Sequence, residues 1–211
     1  VHESHLSAST LAHFIPALYP DRRCFFNLVG HAEGPVVNLS MKNARLAVDG
    51  TRISTVGNGR VTGLPEYRKM GMDLSFTNTR FNSKDLTKLL HSIAPASSEL
   101  DLGRLGGGLM HKADIYAKGN INDLLCRIGL QQSVGGGKAT VGARIHNLLN
   151  NKPISLEGHI EAKELDLGQL IGIEKLGNVS LKSKLGATLP SRGAELYAEI
   201  DQMEISSLDF M

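Results

Sequence analysis

The sequence contains few aromatic residues, and this scarcity limits the kind of core that the chain can build. Of its 211 residues, 5% are aromatic and none is Trp, whereas 23 are Gly and 7 are Pro. Leu, Ile, Val, Ala and Met therefore supply most of the apolar residues, which make up 41% of the chain. Large aromatic side chains dominate the energetics of most thick cores. The composition favours a long, thin apolar layer over a thick globular centre.

Cysteine is also scarce, and its placement argues against a zinc ribbon or a thioredoxin-type site. Cys24 and Cys126 stand alone, and the chain has no C-x-x-C pair that could bind zinc or exchange disulfides. Each cysteine fits the role of a small core residue. A single disulfide between the two is the alternative, and the sequence alone does not decide between them.

The charge pattern indicates no nucleic-acid partner and no membrane-spanning helix. The formal net charge is only +2, and no block of Lys or Arg alternates with aromatic residues that could stack on bases. No uncharged apolar stretch approaches the ~18–20 residues that a spanning helix needs. The opening segment, VHESHLSAST, is too polar for a signal peptide. Because it reads as the middle of a protein, and because the chain stops at SSLDFM, we predict a segment of a longer protein.

Motifs for catalysis, metal binding and cofactor binding are missing as well. The segment VGGGKA is not a phosphate loop, because Gln132 stands where the first Gly should be and Ala139 replaces the Ser or Thr. No G-x-S-x-G motif supplies a serine nucleophile. His2 and His5 are close in sequence, but they fit exposed residues better than metal ligands. We therefore predict no catalytic residue, no metal and no cofactor, and a protein that is not an enzyme.

What the chain does contain is alternation of apolar and polar residues. In ISLEGHIEAKEL, Ile154, Leu156 and Ile160 alternate with Glu157 and Glu161, which is the period of a half-buried strand. The same period occurs at 72–81, 138–149, 178–189 and 194–203, with further candidate strands at 24–32, 36–48, 51–56, 59–63, 113–119 and 124–132. Turn signals separate these segments, including Asp49-Gly50, Asn58-Gly59 and Gly135-Gly136-Gly137. This pattern predicts an antiparallel sheet with one dry and one wet face.

A short helix follows the strand in MDLSFTNTRFNSKDLTKLLHSIAP. Leu86, Leu89, Leu90 and Ile93 are spaced as one helical stripe, Asn82 or Ser83 can cap its start, and Pro95 stops it. Similar junctions, in which an alternating run gives way to a Leu-bearing segment, are predicted at 6–18, 81–95, 165–173 and 203–211. We interpret 1–211 as one continuous segment built from a degenerate repeat.

Two architectures could hide the dry face of such a sheet. The predicted helices are too short to cover about ten strands, so the sheet must close on itself or curl into a trough. We predict a mainly β fold: a curled antiparallel sheet, or β-taco groove, of amphipathic strands with two or three short helices at the repeat junctions. A trough that is only partly filled by its own side chains would present an apolar binding surface.

The pattern resembles the AsmA-like superfamily, and in particular the C-terminal region of the TamB (translocation and assembly module) proteins. The resemblance rests on the one-sided strands, on the signatures GRVTGLP, GNINDL and GHIEAKELDLGQL, and on the recurring strand end followed by a short helix. It implies a location in the periplasm of a Gram-negative bacterium, with the parent protein anchored in the inner membrane. It also implies lipid transport between membranes or outer-membrane protein assembly, with phospholipid acyl chains and an Omp85-type barrel as partners.

On this reading the segment is a non-enzymatic part of an envelope-biogenesis protein that shields acyl chains in its groove. The residues predicted to line the groove are Met72, Leu74, Phe76, Ile154, Leu156, Ile160, Val179, Leu181, Leu185, Leu196 and Ile200. The alternative is a structural or adhesive β-repeat module of a surface protein with a closed, dry core. A third class, a hydrolytic or small-molecule-binding barrel, would need converging polar groups that the sequence does not supply.

Overall fold

The protein is one open antiparallel sheet in which spatial order follows sequence order. The computed structural model describes residues 2–7, 25–93, 110–133, 136–147, 153–166, 177–189 and 195–206. The sheet has eleven strands and is not closed. They are β1 His2–Ser7, β2 Phe25–Glu33, β3 Asn38–Val48, β4 Ser54–Thr62, β5 Gly71–Phe81, β6 His111–Asn120, β7 Asp123–Gln131, β8 Lys138–His146, β9 Ile154–Asp166, β10 Asn178–Leu189 and β11 Glu195–Ser206. The predicted mainly β, antiparallel class is confirmed.

The register puts the alternating apolar residues of neighbouring strands onto a common face. Residues directly opposite each other in an antiparallel pair share a face. One such row crosses five strands and contains Phe76, Ile115, Ile128, Val141 and Ile160. We call this side of the sheet the inner face and the opposite side the outer face.

One α-helix, α1, spans Ser83–Ile93 and follows β5 almost directly. Asn82 is its N-cap, because its Oδ1 accepts a hydrogen bond from the Asp85 backbone N–H at 2.7 Å. Asp85 Oδ2 in turn accepts from Asn82 Nδ2 at 2.8 Å and from the backbone N–H of Arg52 at 3.0 Å. The buried carboxylate of Asp85 therefore ties the start of the helix to the β3–β4 connection. The predicted position and cap of this helix are confirmed.

The helix covers one end of the inner face. Leu89 is partly buried against the cluster of Phe26 and Val48, which Leu46 and Ile53 also contact. Elsewhere on the inner face, the hydrophobic residues with the least exposure are mostly small, among them Ala44, Ala113, Ala139 and Ala162, at 4–7%. Two larger residues of this face, Leu124 and Val179, are as little exposed, at 8% and 5%.

Three β-bulges with one shared design interrupt the strands. Each bulge contains a non-glycine residue in the left-handed region: Asn43, Asn78 and Glu164, with φ of 49°, 53° and 49°. In each case the backbone N–H of that residue donates to a side-chain oxygen on the next strand. The acceptors are Asn58 Oδ1 at 2.9 Å, Asp114 Oδ1 at 3.0 Å and Ser180 Oγ at 3.2 Å. Because the extra residue stays on the outer face, each strand keeps its apolar residues on the inner face past the bulge.

Two details of the sequence-based prediction are wrong. Asn58-Gly59 is not a turn, because both residues lie inside β4, which joins the two candidate strands 51–56 and 59–63. Asn58 serves as the bulge acceptor, and a Cβ on Gly59 would lie 2.5 Å from Leu74 Cδ2, so the glycine makes room for that side chain. The predicted strand end at Met203 is also wrong, because β11 continues to Ser206. A register shift within β11 leaves Asp201 with no residue directly opposite it on β10.

Other predicted features fall where the structure is not described. The short helices predicted at the junctions 6–18 and 165–173 lie outside the described residues. The strand ends that precede these helical segments are Ser7 and Asp166, each one residue beyond the predicted Leu6 and Leu165. The glycine-rich turn after β7 is closed by a hydrogen bond of 2.9 Å from the Gln132 N–H to the Gly137 carbonyl.

The bulge at Asn78 yields a stability prediction. We expect Asn78→Val to lower the free energy of unfolding by about 1–2 kcal/mol, because a β-branched residue is strained at positive φ. Asn78→Gly should leave it nearly unchanged, since glycine adopts this conformation freely. Ser75→Val, on the same face of the same strand but in extended backbone, is the matched control. Urea unfolding measures all three variants, and equal losses for Asn78→Val and Ser75→Val would contradict the assignment.

Candidate apolar binding face

All eleven residues predicted to line a groove occupy inner-face positions. Met72 and Leu156 belong to one row, which also holds Leu124, Ile145 and, at the register position of β11, Leu196. Phe76, Ile160 and Ile200 belong to the row of Ile128. The others also lie on this face, with Leu74 paired to Ala117, Leu185 to Gly158, Leu181 to Ala162, Val179 to Leu165 and Ile154 to Leu189. Their contact with lipid stays a prediction.

The inner face is apolar but incompletely covered. Among the described residues, no large side chain is less than 2% exposed, which is unusual for a chain of this length. Ile128, in the middle of the sheet, is 39% exposed, and Met72, Leu74, Phe76 and Ile160 are only half-buried. Within the described residues, α1 is the single element that packs onto this face. The middle strands therefore offer a continuous apolar surface to a ligand.

A row of small residues, which we call the furrow, crosses the centre of this surface. The row of Ala117, Cys126, Ala143 and Gly158 consists of small residues on four successive strands. The rows on either side carry Leu, Ile and Val, so this row is lower than its neighbours. Cys126 is a free thiol, and burial raises its pKa, which keeps it protonated and unreactive at neutral pH. Cys24 lies outside the described residues.

Polar groups gather on the inner face at the end near α1. The hydroxyls of Thr55 and Thr79 form a hydrogen bond of 2.7 Å, and Gln132 holds both the N–H and the carbonyl of Asp166 at 2.9 and 3.0 Å. His111 is 4% exposed, and within the described part of the chain neither of its ring nitrogens has a hydrogen-bond partner. Burial lowers the pKa of His111, so the ring is neutral at pH 7.

The sequence alone predicts neither the burial of His111 nor that of Gln132. His111 and Gln132 each stand at the end of an alternating run, where period alone gives no signal for burial. In the sequence, Gln132 stands out only because it departs from a phosphate-loop pattern. Its side chain bridges to Asp166, which is two strands away in the sheet. Because this contact depends on the register between strands, neither segment predicts it alone.

The outer face is polar and partly ion-paired, with some apolar exceptions. Lys118 Nζ lies 3.0 Å from Asp73 Oδ2, and Arg144 binds Asp123 through two hydrogen bonds of 2.6 and 2.7 Å. The Arg144 guanidinium lowers the pKa of Asp123, whose carboxylate raises that of Arg144. Leu125, 46% exposed on the same face, shows that the division between faces is not complete.

In the described part of the chain there is neither a metal site nor a membrane-spanning helix. No three side chains of His, Cys, Asp or Glu are grouped there as metal ligands would be. With 11 residues, α1 is too short to cross a membrane, and no other described helix could do so. No family model, no curated protein and no solved structure matches this chain. The functional argument therefore rests on the geometry of the two faces.

The unpartnered ring of His111 predicts a pH-dependent stability. Its folded-state pKa lies below the ordinary value of ~6.5, so the unfolded chain binds a proton more readily. Stability should therefore be greatest above ~6.5 and decrease as the pH falls through that value toward the folded-state pKa. We expect this loss between pH 7.5 and 5.0 in urea unfolding of the natural chain.

The control variants separate His111 from the other histidines. His111→Gln and His111→Phe cannot titrate there, so the change in unfolding midpoint between the two pH values should shrink in both. His159→Phe, at an exposed position without an ion pair among the described residues, should keep the full change. An undiminished pH dependence in both His111 variants would show that this ring is not the responsible group.

Proposed function

We propose that the inner face binds lipid acyl chains and shields them from water. The observation that carries this proposal is the partly exposed apolar surface across β5–β9, of which Ile128 at 39% exposure is the centre. The sequence also left open a structural module with a closed, dry core. In such a module the two edge strands would pair with each other, or a second layer would cover the sheet. The sheet is open, and the described residues provide only α1 as a cover.

The energetics favour a long apolar ligand over a small polar one. Each methylene group transferred from water to an apolar surface contributes about 0.8 kcal/mol. The furrow from Ala117 to Gly158 crosses four strands, and at a strand spacing of ~4.8 Å it is about 14 Å long. Neither the furrow nor the two rows of residues beside it contains a charged residue. Such a surface gives affinity for a hydrocarbon chain without selecting its headgroup.

The resemblance to TamB proteins supports the same function in a cellular setting. On that basis we propose a non-enzymatic segment of a periplasmic envelope-biogenesis protein, anchored in the inner membrane through its parent. The function would be lipid transport between membranes, outer-membrane protein assembly with an Omp85-type barrel, or both. The mechanism requires no catalytic group, because the acyl chains need only lie against the apolar inner face.

Photo-crosslinking tests which face meets lipid. A photoreactive residue placed at Leu156 or Leu181, on the inner face, should capture phospholipid from vesicles. The same residue at Glu157 or Lys182, one position along on the outer face, should not. Mass spectrometry of the crosslinked protein identifies the adduct. Equal labelling at all four positions would sink the proposal.

A second test compares two exposed apolar residues of β7 on opposite faces. Ile128→Gln should weaken binding of a fluorescent fatty acid by about fivefold, because it places an amide in the proposed contact surface. Leu125→Gln changes a side chain of similar exposure on the outer face and should have almost no effect. Fluorescence anisotropy titration measures both affinities. A larger effect at Leu125 would place the ligand on the wrong side of the sheet for this function.

A further inference from the structure

A row of cations crosses the outer face at the end of the strands nearest α1. Arg80 lies directly opposite Lys112, which lies opposite Gln131; Gln131 lies opposite Lys138, which lies opposite Lys163. We call Arg80, Lys112, Lys138 and Lys163 the basic row. It spans five strands, or about 19 Å at a spacing of ~4.8 Å, and all four side chains are exposed.

The charges of this row are poorly compensated. Among the described residues, no carboxylate lies within 4 Å of the charged nitrogens of Arg80, Lys112 or Lys138. Lys163 is 3.7 Å from Glu161, but that carboxylate is shared with Lys182 at 3.8 Å. Asp114, the nearest acidic residue along β6 from Lys112, accepts the Asn78 N–H at the bulge.

The opposite end of the same face is built differently. There the directly opposed residues alternate in sign: Arg60 faces Asp73, Asp73 faces Lys118, and Arg144 faces Glu157. Lys118 and Arg144 both have close carboxylate partners, Asp73 at 3.0 Å and Asp123 at 2.6 Å. The contrast shows that this sheet can pair its outer charges. In the basic row, by contrast, three of the four cations have no carboxylate within 4 Å among the described residues.

Like charges directly opposite each other destabilise an antiparallel pair. The basic row contains two such pairs, Arg80–Lys112 and Lys138–Lys163, so folding alone does not account for it. An anionic partner would relieve this repulsion. Arg52 and Lys84, both exposed, border the same end of the sheet near α1 and extend the positive surface.

We propose that the basic row is a docking surface for the anionic headgroups of a lipid bilayer. The row is linear, exposed and built mainly from flexible Lys side chains, and it has no aromatic residue for stacking on bases. A bilayer surface needs only charge density, since polybasic segments bind anionic lipid without shape complementarity. The site is on the outer face, so it does not depend on acyl-chain binding to the inner face.

Vesicle sedimentation tests the proposal with the full chain. Binding should be clear for vesicles of phosphatidylcholine with 30% phosphatidylglycerol, weak for phosphatidylcholine alone, and should decrease as salt rises. The double variant Lys112→Gln/Lys138→Gln should bind the anionic vesicles about 25-fold more weakly, at about fivefold per cation. Lys42→Gln/Lys118→Gln is the control, because it removes the same charge from two residues that have carboxylate partners.

A stability measurement separates docking from a general loss of fold. Lys112→Gln/Lys138→Gln removes one member of each repulsive pair, so its urea midpoint should rise or stay level while vesicle binding falls. The control variant breaks two ion pairs and should have a lower midpoint with nearly full binding.

Three outcomes would overturn the proposal. They are equal binding to neutral and anionic vesicles, equal loss in both variants, and binding to heparin or an acidic polypeptide without binding to anionic vesicles. The last outcome would assign the row to an acidic macromolecule. Because photo-crosslinking from the inner face is read independently, failure of the basic row leaves the acyl-chain proposal intact.

Discussion

The structure depends on one constraint: within the described residues, the apolar side of a single sheet has no second sheet to cover it. Apolar area exposed to water costs about 25 cal/mol per Å², so an uncovered face is maintained only if something stabilises it. Here α1 covers the end near Phe26 and Val48. Over the middle strands, Ile128 is 39% exposed and its neighbours Phe76 and Ile160 are partly exposed. The proposed binding of an apolar ligand would add to the burial of this surface.

The bulges serve this one-sided arrangement. A strand that gains one residue normally sends its later side chains to the wrong face. At Asn43, Asn78 and Glu164 the added residue turns through the left-handed region, and a polar side chain on the next strand holds its freed N–H. Each long strand can therefore bend and still keep one apolar side.

Much of the fold could be predicted from the sequence, because alternation in single segments decides which residues share a face. The helix after Phe81 and its Asn82 cap were equally local signals. What could not be predicted required the register between strands. Asn58 looked like a turn residue until its position opposite Asn43 was known, and the cations of Arg80 and Lys112 are unremarkable until they are found side by side. The buried state of His111 likewise comes from the packing around a strand end.

The strand order has a consequence for how this chain gains its stability. Every strand pairs only with the strands before and after it in sequence, so each strand depends directly on its two neighbours alone. Such a ladder resembles a zipper: its cohesion is approximately a sum over adjoining hairpins, and assembly can nucleate at many points and spread. Insertion or loss of one hairpin would lengthen or shorten the sheet without altering the pairing elsewhere, so its reach can vary while its cross-section is preserved.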